Sequence, residues 1–253
     1  MSNDILSKSK LKNKYDINKK INVEDIILND VSIDDLELGD NNYNQFINLK
    51  NLLNSVSSCQ ISDAFNNLFR KSGVVEGLKS ITNLKVYGRI TTASTNSDDW
   101  GTGIIAINAC NKGDILFIKV NNEDAAIWGD LASTDAKLHG VGGVAVYGCV
   151  RDMEDILHSD YPIFACNFTS NAGKPLGVGN INEDISIDEN IIRPGDFFFG
   201  DETGVVIVPA TLFTQVINEV LSVKLFELNV IKQLKNGRSL MEVVGLNNAI
   251  KFK

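Results

Sequence analysis

Residues 124–155 read DAAIWGDLASTDAKLHGVGGVAVYGCVRDMED, and the fold turns on this stretch. LASTDAKLHG (131–140) reads as a short helix that stops at Gly140. GVAVYG (143–148) is a short apolar run of the kind that forms a buried strand. A helix of about ten residues carries the chain roughly 15 Å away. Gly140, Gly142 and Gly143 let it turn, and the strand returns it by roughly 17–20 Å. Arg151 and Asp152 are therefore expected beside Asp130. The helix mouth lies there too, with N–H groups of Leu131, Ala132 and Ser133 that lack helical partners and suit a carboxylate.

Amide donors, a guanidinium and two carboxylates would then share one place. Two acids alone repel, so a cation or a proton is implied. An oxygen-only donor set with few protein contacts suits Mg²⁺ or Mn²⁺, with water completing the shell. Taken singly, each residue has a plainer reading. Asp130 equally serves as a helix N-cap, and Arg151 with Asp152 as a surface ion pair.

Outward from this segment the pattern stays α/β. FINLKNLLNSV (46–56) and ISDAFNNLFRKSG (61–73) have helical spacing, with Ser62 or Asp63 as caps. LKVYGRITTAS (84–94), GDILFIKV (113–120) and PIFACNF (162–168) read as strands. SDDWGTGIIAINAC (97–110) is a loop entering a helix, capped by Asp98 or Asp99. RDMEDILHS (151–159) is a short helix. ISI (185–187), DFFFGD (196–201) and GVVIVPA (204–210) are strands, the last two joined by a tight turn. A long amphipathic helix over 210–236 and a short one over 239–246 end the chain. Strands alternating with helices in the middle, and hairpin-like strands late, predict a layered α/β/β/α sandwich with a mixed sheet.

The chain has 253 residues, 43% of them apolar, enough for one ample core. The net charge of −8 argues against nucleic-acid or anionic-membrane binding. No run of about 18 apolar residues occurs, so no membrane span is expected. The start, MSNDILSKSKLKNKYD, has no apolar core and is expected not to be a secretory signal; the expected location is cytoplasmic. Residues 1–45 carry a lysine-rich block and then an acidic block, and read as a partly disordered charged arm ahead of a catalytic domain over 46–253. Cys59, Cys110, Cys149 and Cys166 form no C-x-x-C pair or zinc pattern and read as reduced, mostly buried thiols. His139 and His158 fall near helix C-termini, a place favourable to a charged ring, and are assigned no catalytic work.

The flanks make the central pattern specific. Gly129-Asp130-Leu131, Ala136-Lys137, Gly140, Gly143, Gly148 and Arg151-Asp152 resemble, without gaps, the hallmark of the RraA-like family. That family includes metal-dependent pyruvate aldolases that cleave 4-hydroxy-4-methyl-2-oxoglutarate. ISDAF with VYGRITTAST, and RPGDFFFGDETGVVIVP (193–209), are also similar to it, so the resemblance covers roughly 50–240. The WGDL and VYGCVRD wording looks most like archaeal members, some of them fused to a hexulose-phosphate synthase.

The resemblance implies the swivelling-domain type of sandwich and specific roles. Asp152 would ligate the metal, and Asp130 would hold it through water and help move a proton. Arg151 would bind the 2-oxo oxygen and the enolate. The amides of Leu131 and Ala132 would hold the substrate carboxylate. An acid of a neighbouring subunit, with Glu227 as the candidate, would complete the site of a homotrimer or homohexamer. The implied activity is that of a lyase of the pyruvate aldolase or oxaloacetate decarboxylase type, acting on a small 2-oxo acid. A Schiff-base route through Lys137 or Lys174 is disfavoured, since both read as surface lysines. Two other functions stay open. Some relatives are non-catalytic regulators of an RNA-degrading enzyme, but they lack the first acid of the motif. A sugar-phosphate lyase or isomerase would use the Gly-rich loop at 173–180 against a phosphate. Asp98-Asp99-Trp100 departs from the aldolase pattern, and Trp100 is placed either at the substrate pocket or in a core or interface.

Overall fold

Ile115, Leu116, Phe117 and Ile118 are all fully buried, so their strand is covered on both faces. Successive side chains point to opposite sides of a strand. Ile115 and Phe117 accordingly join one apolar cluster, and Leu116 and Ile118 another. Two layers must therefore flank this strand, and the rest of the chain supplies them. The structure, a computed structural model, describes residues 49–122, 124–188 and 190–246. The charged arm expected over 1–45 lies outside them.

The strands are β1 (Lys79–Ser80), β2 (Val86–Thr95), β3 (Ile115–Val120), β4 (Ala126–Trp128), β5 (Gly143–Val150), β6 (Ile163–Phe168), β7 (Asn180–Ile181), β8 (Ile185–Ile187), β9 (Asn190–Ile192), β10 (Phe197–Asp201) and β11 (Gly204–Val208). The helices are α1 (Leu49–Ser55), α2 (Ser58–Phe69), α3 (Gly101–Ile107), α4 (Asp130–Leu138), α5 (Met153–His158), α6 (Phe213–Lys235) and α7 (Leu240–Val243). One sheet runs β1-β6-β5-β3-β2-β10-β11, with β4 added beside β5 and β7 beside β2. β2, β3, β5 and β6 are parallel to one another, while β10 and β11 run antiparallel, so the sheet is mixed.

Three clusters divide the core. Helices α3, α4 and α5 cover the outer face of the parallel strands through Ala106, Ala136 and Ile156. A middle cluster joins Phe117 and Phe164 to Phe198, Val205 and Ile207. On the far side α2 and α6 pack on Phe199, Val206 and Val208. This is the α/β/β/α layering expected from the sequence. Alternation along Phe197-Phe198-Phe199 serves both inner layers. Phe198 meets Phe164 edge-on at 5.2 Å, and Phe197 stacks on Phe213 with centroids 3.7 Å apart. Burying each such ring contributes about 1.5–3 kcal/mol.

Several boundaries move. Helix α2 starts at Ser58, not near Ser62 or Asp63. Its cap is Ser57, which forms a reciprocal capping box with Gln60 and satisfies two exposed backbone donors. The long C-terminal helix begins at Phe213, after a 3₁₀ turn over Ala210–Leu212. Among the described residues no helix is long and apolar enough to cross a membrane. The cysteines are less buried than expected, with Cys110 and Cys166 only half-buried. Cys149 is buried and Cys59 exposed, and burial pushes the Cys110 thiol up to about 11.

Candidate active site

Strand β4 lies parallel to β5, with Trp128 in register with Val150. The Arg151 N–H donates to the Trp128 carbonyl at 3.0 Å. The two strands thus end side by side, and Gly129, Arg151 and Asp152, just past the ends, face a common space. The crevice beyond the carboxyl ends of parallel strands is the usual ligand site of α/β folds.

The structure sets the backbone of Asp130 beside Arg151 and Asp152. The Asp130 N–H donates to Asp152 Oδ2 at 3.3 Å, and Arg151 Nε lies 3.4 Å from the same oxygen. Arg151 and Asp152 keep 44% and 34% of their side-chain surface exposed, so the pair is open to a ligand. Gly129 makes the approach possible. A Cβ there would stand 2.3 Å from Asp152 Oδ2 and 3.2 Å from Arg151 Cγ. Asp152 sits in the left-handed region, with φ 58° and ψ 44°. Such backbone costs a side-chain-bearing residue energy and clusters at functional sites.

The helix mouth differs from expectation in two ways. Asp130 is the first helical residue and Gly129 the cap, so Asp130 is not an N-cap. The Ser133 N–H is also spent, since it donates to the Gly129 carbonyl at 3.1 Å, the ordinary first bond of the helix. Leu131 and Ala132 both line the cavity. It encloses about 190 Å³ against Trp100, Ile104, Trp128, Arg151 and Asp152.

The Asp98-Asp99-Trp100 departure builds the opposite wall. Asp99 is fully buried. Its Oδ1 accepts from the N–H groups of Gly101, Thr102, Leu176 and Gly177, at 2.8–3.3 Å. Its Oδ2 accepts from Thr95 Oγ1, Thr102 Oγ1 and the Val178 N–H. Burial alone would push this carboxyl up. The donors, Thr102 first, outweigh it and hold Asp99 well below the usual carboxylate range. Asp99 is therefore a clasp between the start of α3 and the 173–180 loop, although the cap position itself is Trp100. The loop amides of Leu176, Gly177 and Val178 are already taken, so the expected approach to a phosphate loses its donors.

Other expected residues fall elsewhere. Glu227 is half-buried on α6, where it accepts a hydrogen bond from Gln60 Nε2 of the same chain. Lys137 and Lys174 are exposed, as surface lysines should be. His139 and His158 end their helices, each with Nδ1 on a carbonyl four residues back. Among the described residues no group of three or more His, Cys, Asp or Glu side chains gathers as a metal site. A metal with many protein ligands does not fit here. Asp152 is the one acid among the described residues that line the cavity, a donor set that suits only a hard cation keeping most of its waters.

A family model described as Aldolase/RraA, RraA-like, matches residues 58–207. An uncharacterised protein of Methanocaldococcus jannaschii is 38% identical over 164 residues, which cover 64% of this chain and 78% of that protein. A Halalkalibacterium halodurans protein named "Putative 4-hydroxy-4-methyl-2-oxoglutarate aldolase" is 34% identical over 150 residues, 59% of this chain and 70% of that one. The solved structure of the RNA-processing inhibitor RraA from Thermus thermophilis superposes with a TM-score of 0.53 at 22% identity. It covers 58% of this chain and 92% of the other, a likeness of fold.

Proposed function

The chain belongs to the RraA-like family, and from that premise we propose that it is a carbon–carbon lyase acting on a 2-oxo acid through an enolate. The observation that carries this reading is Asp152, held by the Asp130 N–H and beside Arg151, at the mouth of a cavity that Leu131 and Ala132 also line.

In this reading the amides of Leu131 and Ala132 hold the substrate carboxylate at the helix start. Arg151 takes the 2-oxo oxygen and stabilises the charge that develops there. In aldol cleavage the C3–C4 bond breaks. Its electron pair forms the pyruvate enolate, and the C4 hydroxyl proton leaves as C4 becomes a carbonyl. The enolate then takes a proton at C3. Oxaloacetate reaches the same enolate by losing CO₂. Asp130 moves the proton, at the edge of the site where water can reach it. Asp152, with Asp130 through water, would hold Mg²⁺ or Mn²⁺, which when bound adds positive charge near the developing enolate.

The ring assembly implied by the resemblance would set a neighbour's acid, Glu227 or another, at the site. The exposed Phe226, Leu228 and Ile231 on α6 suit such packing, and α6 is the helix that carries Glu227.

The test is release of pyruvate from oxaloacetate with Mg²⁺, followed by a coupled dehydrogenase. Turnover that is lost with chelator and in Asp152→Ala supports the lyase. Neither turnover on several 2-oxo acids nor metal binding by calorimetry would leave a non-catalytic binding protein as the better account.

A further inference from the structure

The geometry points to a substrate whose leaving half is a short, uncharged alkyl group, so that cleavage releases pyruvate and a small aliphatic aldehyde. This rests on the lyase reading above and names its substrate class.

Among the described residues that line the cavity, Arg151 carries the only positive charge. The 2-oxo acid head uses it. Apart from Asp152, the rest of the lining, Trp100, Ile104, Trp128 and Ala172 among it, has no charged or amide-bearing side chain. The Trp indole donors are not offered either. Trp100 Nε1 donates to the Gly173 carbonyl at 3.1 Å and Trp128 Nε1 to Ser133 Oγ at 2.9 Å. Lys174 is exposed and is not among the lining residues. A carboxylate at the far end of the leaving aldehyde would thus lose its water against apolar carbon and gain no partner, which is costly. An alkyl group there gains by leaving water.

The wall is also fixed in place. The Trp100 N–H donates to the Lys174 carbonyl at 3.0 Å, and the Lys174 N–H to the Asp98 carbonyl at 2.7 Å. The contact is tight enough that a Cβ on Gly173 would meet the Asp98 backbone at 2.3 Å. Asp99 locks the same two segments from beneath. Side chains held this way cannot easily turn aside for a charged tail. Size limits the tail as well. A cavity of about 190 Å³ is smaller than the roughly 300–1,000 Å³ common for drug-sized ligands.

The experiment compares kcat/KM for aldols that differ only in the tail. 4-Hydroxy-2-oxopentanoate and 4-hydroxy-5-methyl-2-oxohexanoate carry alkyl tails, and 4-hydroxy-2-oxoglutarate carries a carboxylate. Pyruvate release is read with Mg²⁺ present, with oxaloacetate, which loses CO₂ and has no aldehyde half, as a control for the enolate chemistry. We expect at least a tenfold preference for an alkyl aldol. We also expect Ala172→Arg, which adds a second cation to the wall, to shrink that preference at least tenfold, chiefly through the KM of the dicarboxylate. Equal or better cleavage of the dicarboxylate by the native chain overturns the inference, and so does a preference that Ala172→Arg leaves unmoved. If that variant does not fold, the native preference alone decides. If oxaloacetate releases pyruvate but the dicarboxylate wins, the substrate class falls and the lyase stands. If neither oxaloacetate nor any aldol reacts, the lyase reading itself falls.

Discussion

The missing side chain of Gly129 is the space that Asp152 Oδ2 occupies, since a Cβ at 129 would lie 2.3 Å from that oxygen. The obstructed atom is the tip of a side chain that can rotate, so the fold can absorb the change while the site cannot. In Gly129→Ala we expect kcat/KM for pyruvate release to fall at least tenfold. Stability should drop by no more than about 1–3 kcal/mol, the usual cost of overpacking. Steady-state kinetics beside a denaturation curve check both parts.

The left-handed backbone at Asp152 separates charge from conformation. Asparagine tolerates that region and alanine does not. Asp152→Asn and Asp152→Ala should both lose pyruvate release. Asp152→Ala should be the less stable by about 1 kcal/mol in urea denaturation. Equal stabilities would show that the φ of 58° carries no cost here.

Asp99 should govern acid stability. Its pKa is lowered in the folded state, so between the unfolded carboxylate value of about 3.9 and lower pH the unfolded chain binds more protons. Stability then rises with pH through that window. The Asp99 contribution is fully present above about pH 5 and is lost as acid drives the pH down toward the folded pKa. In Asp99→Asn the plot of unfolding free energy against pH should be flatter between about pH 5 and 2. Asp201, also lowered and bonded to Ser58, keeps part of the slope. Asp99→Ala should cost more than about 3 kcal/mol at pH 7, because several buried donors lose their acceptor at roughly 1–3 kcal/mol each.

Trp100 should act on binding more than on chemistry. Trp100→Phe keeps an apolar wall and loses only the bond from Nε1 to Gly173, worth about 1 kcal/mol. Trp100→Ala opens the wall. KM for an alkyl aldol should therefore rise in the order native, Phe, Ala, with kcat changing less than KM across the series.

The core of the site was legible because it is local. Asp130 opens one helix and Arg151 and Asp152 follow the next strand, so helix and strand lengths foretell that the backbones at 130 and 151–152 return to one side of the sheet. Strand β4 was not legible. Three residues, Ala126–Trp128, are too few to show a period, yet the pairing of Trp128 with Val150 aligns the two chain ends. The clasp at Asp99 was read only as a cap, since its partners at 176–178 lie nearly eighty residues away and no short-range pattern marks them. The spent amide of Ser133 follows from the helix starting one residue earlier than the sequence suggested. The sandwich itself was legible from the order of the elements, strands alternating with helices in the middle and hairpin-like strands late, and the apolar runs of β3 and β10 pack a layer on each face.

The cavity is walled by unrelated parts of the chain. Its charged side comes from Arg151 and Asp152, its apolar side from Trp128, Ala132, the start of α3 and Ala172. Substitutions at Trp100, Ile104 or Ala172 can accumulate without disturbing the bonds among Asp130, Arg151 and Asp152. Over generations such a lineage could exchange one aldehyde for another while its bond-breaking apparatus stayed untouched.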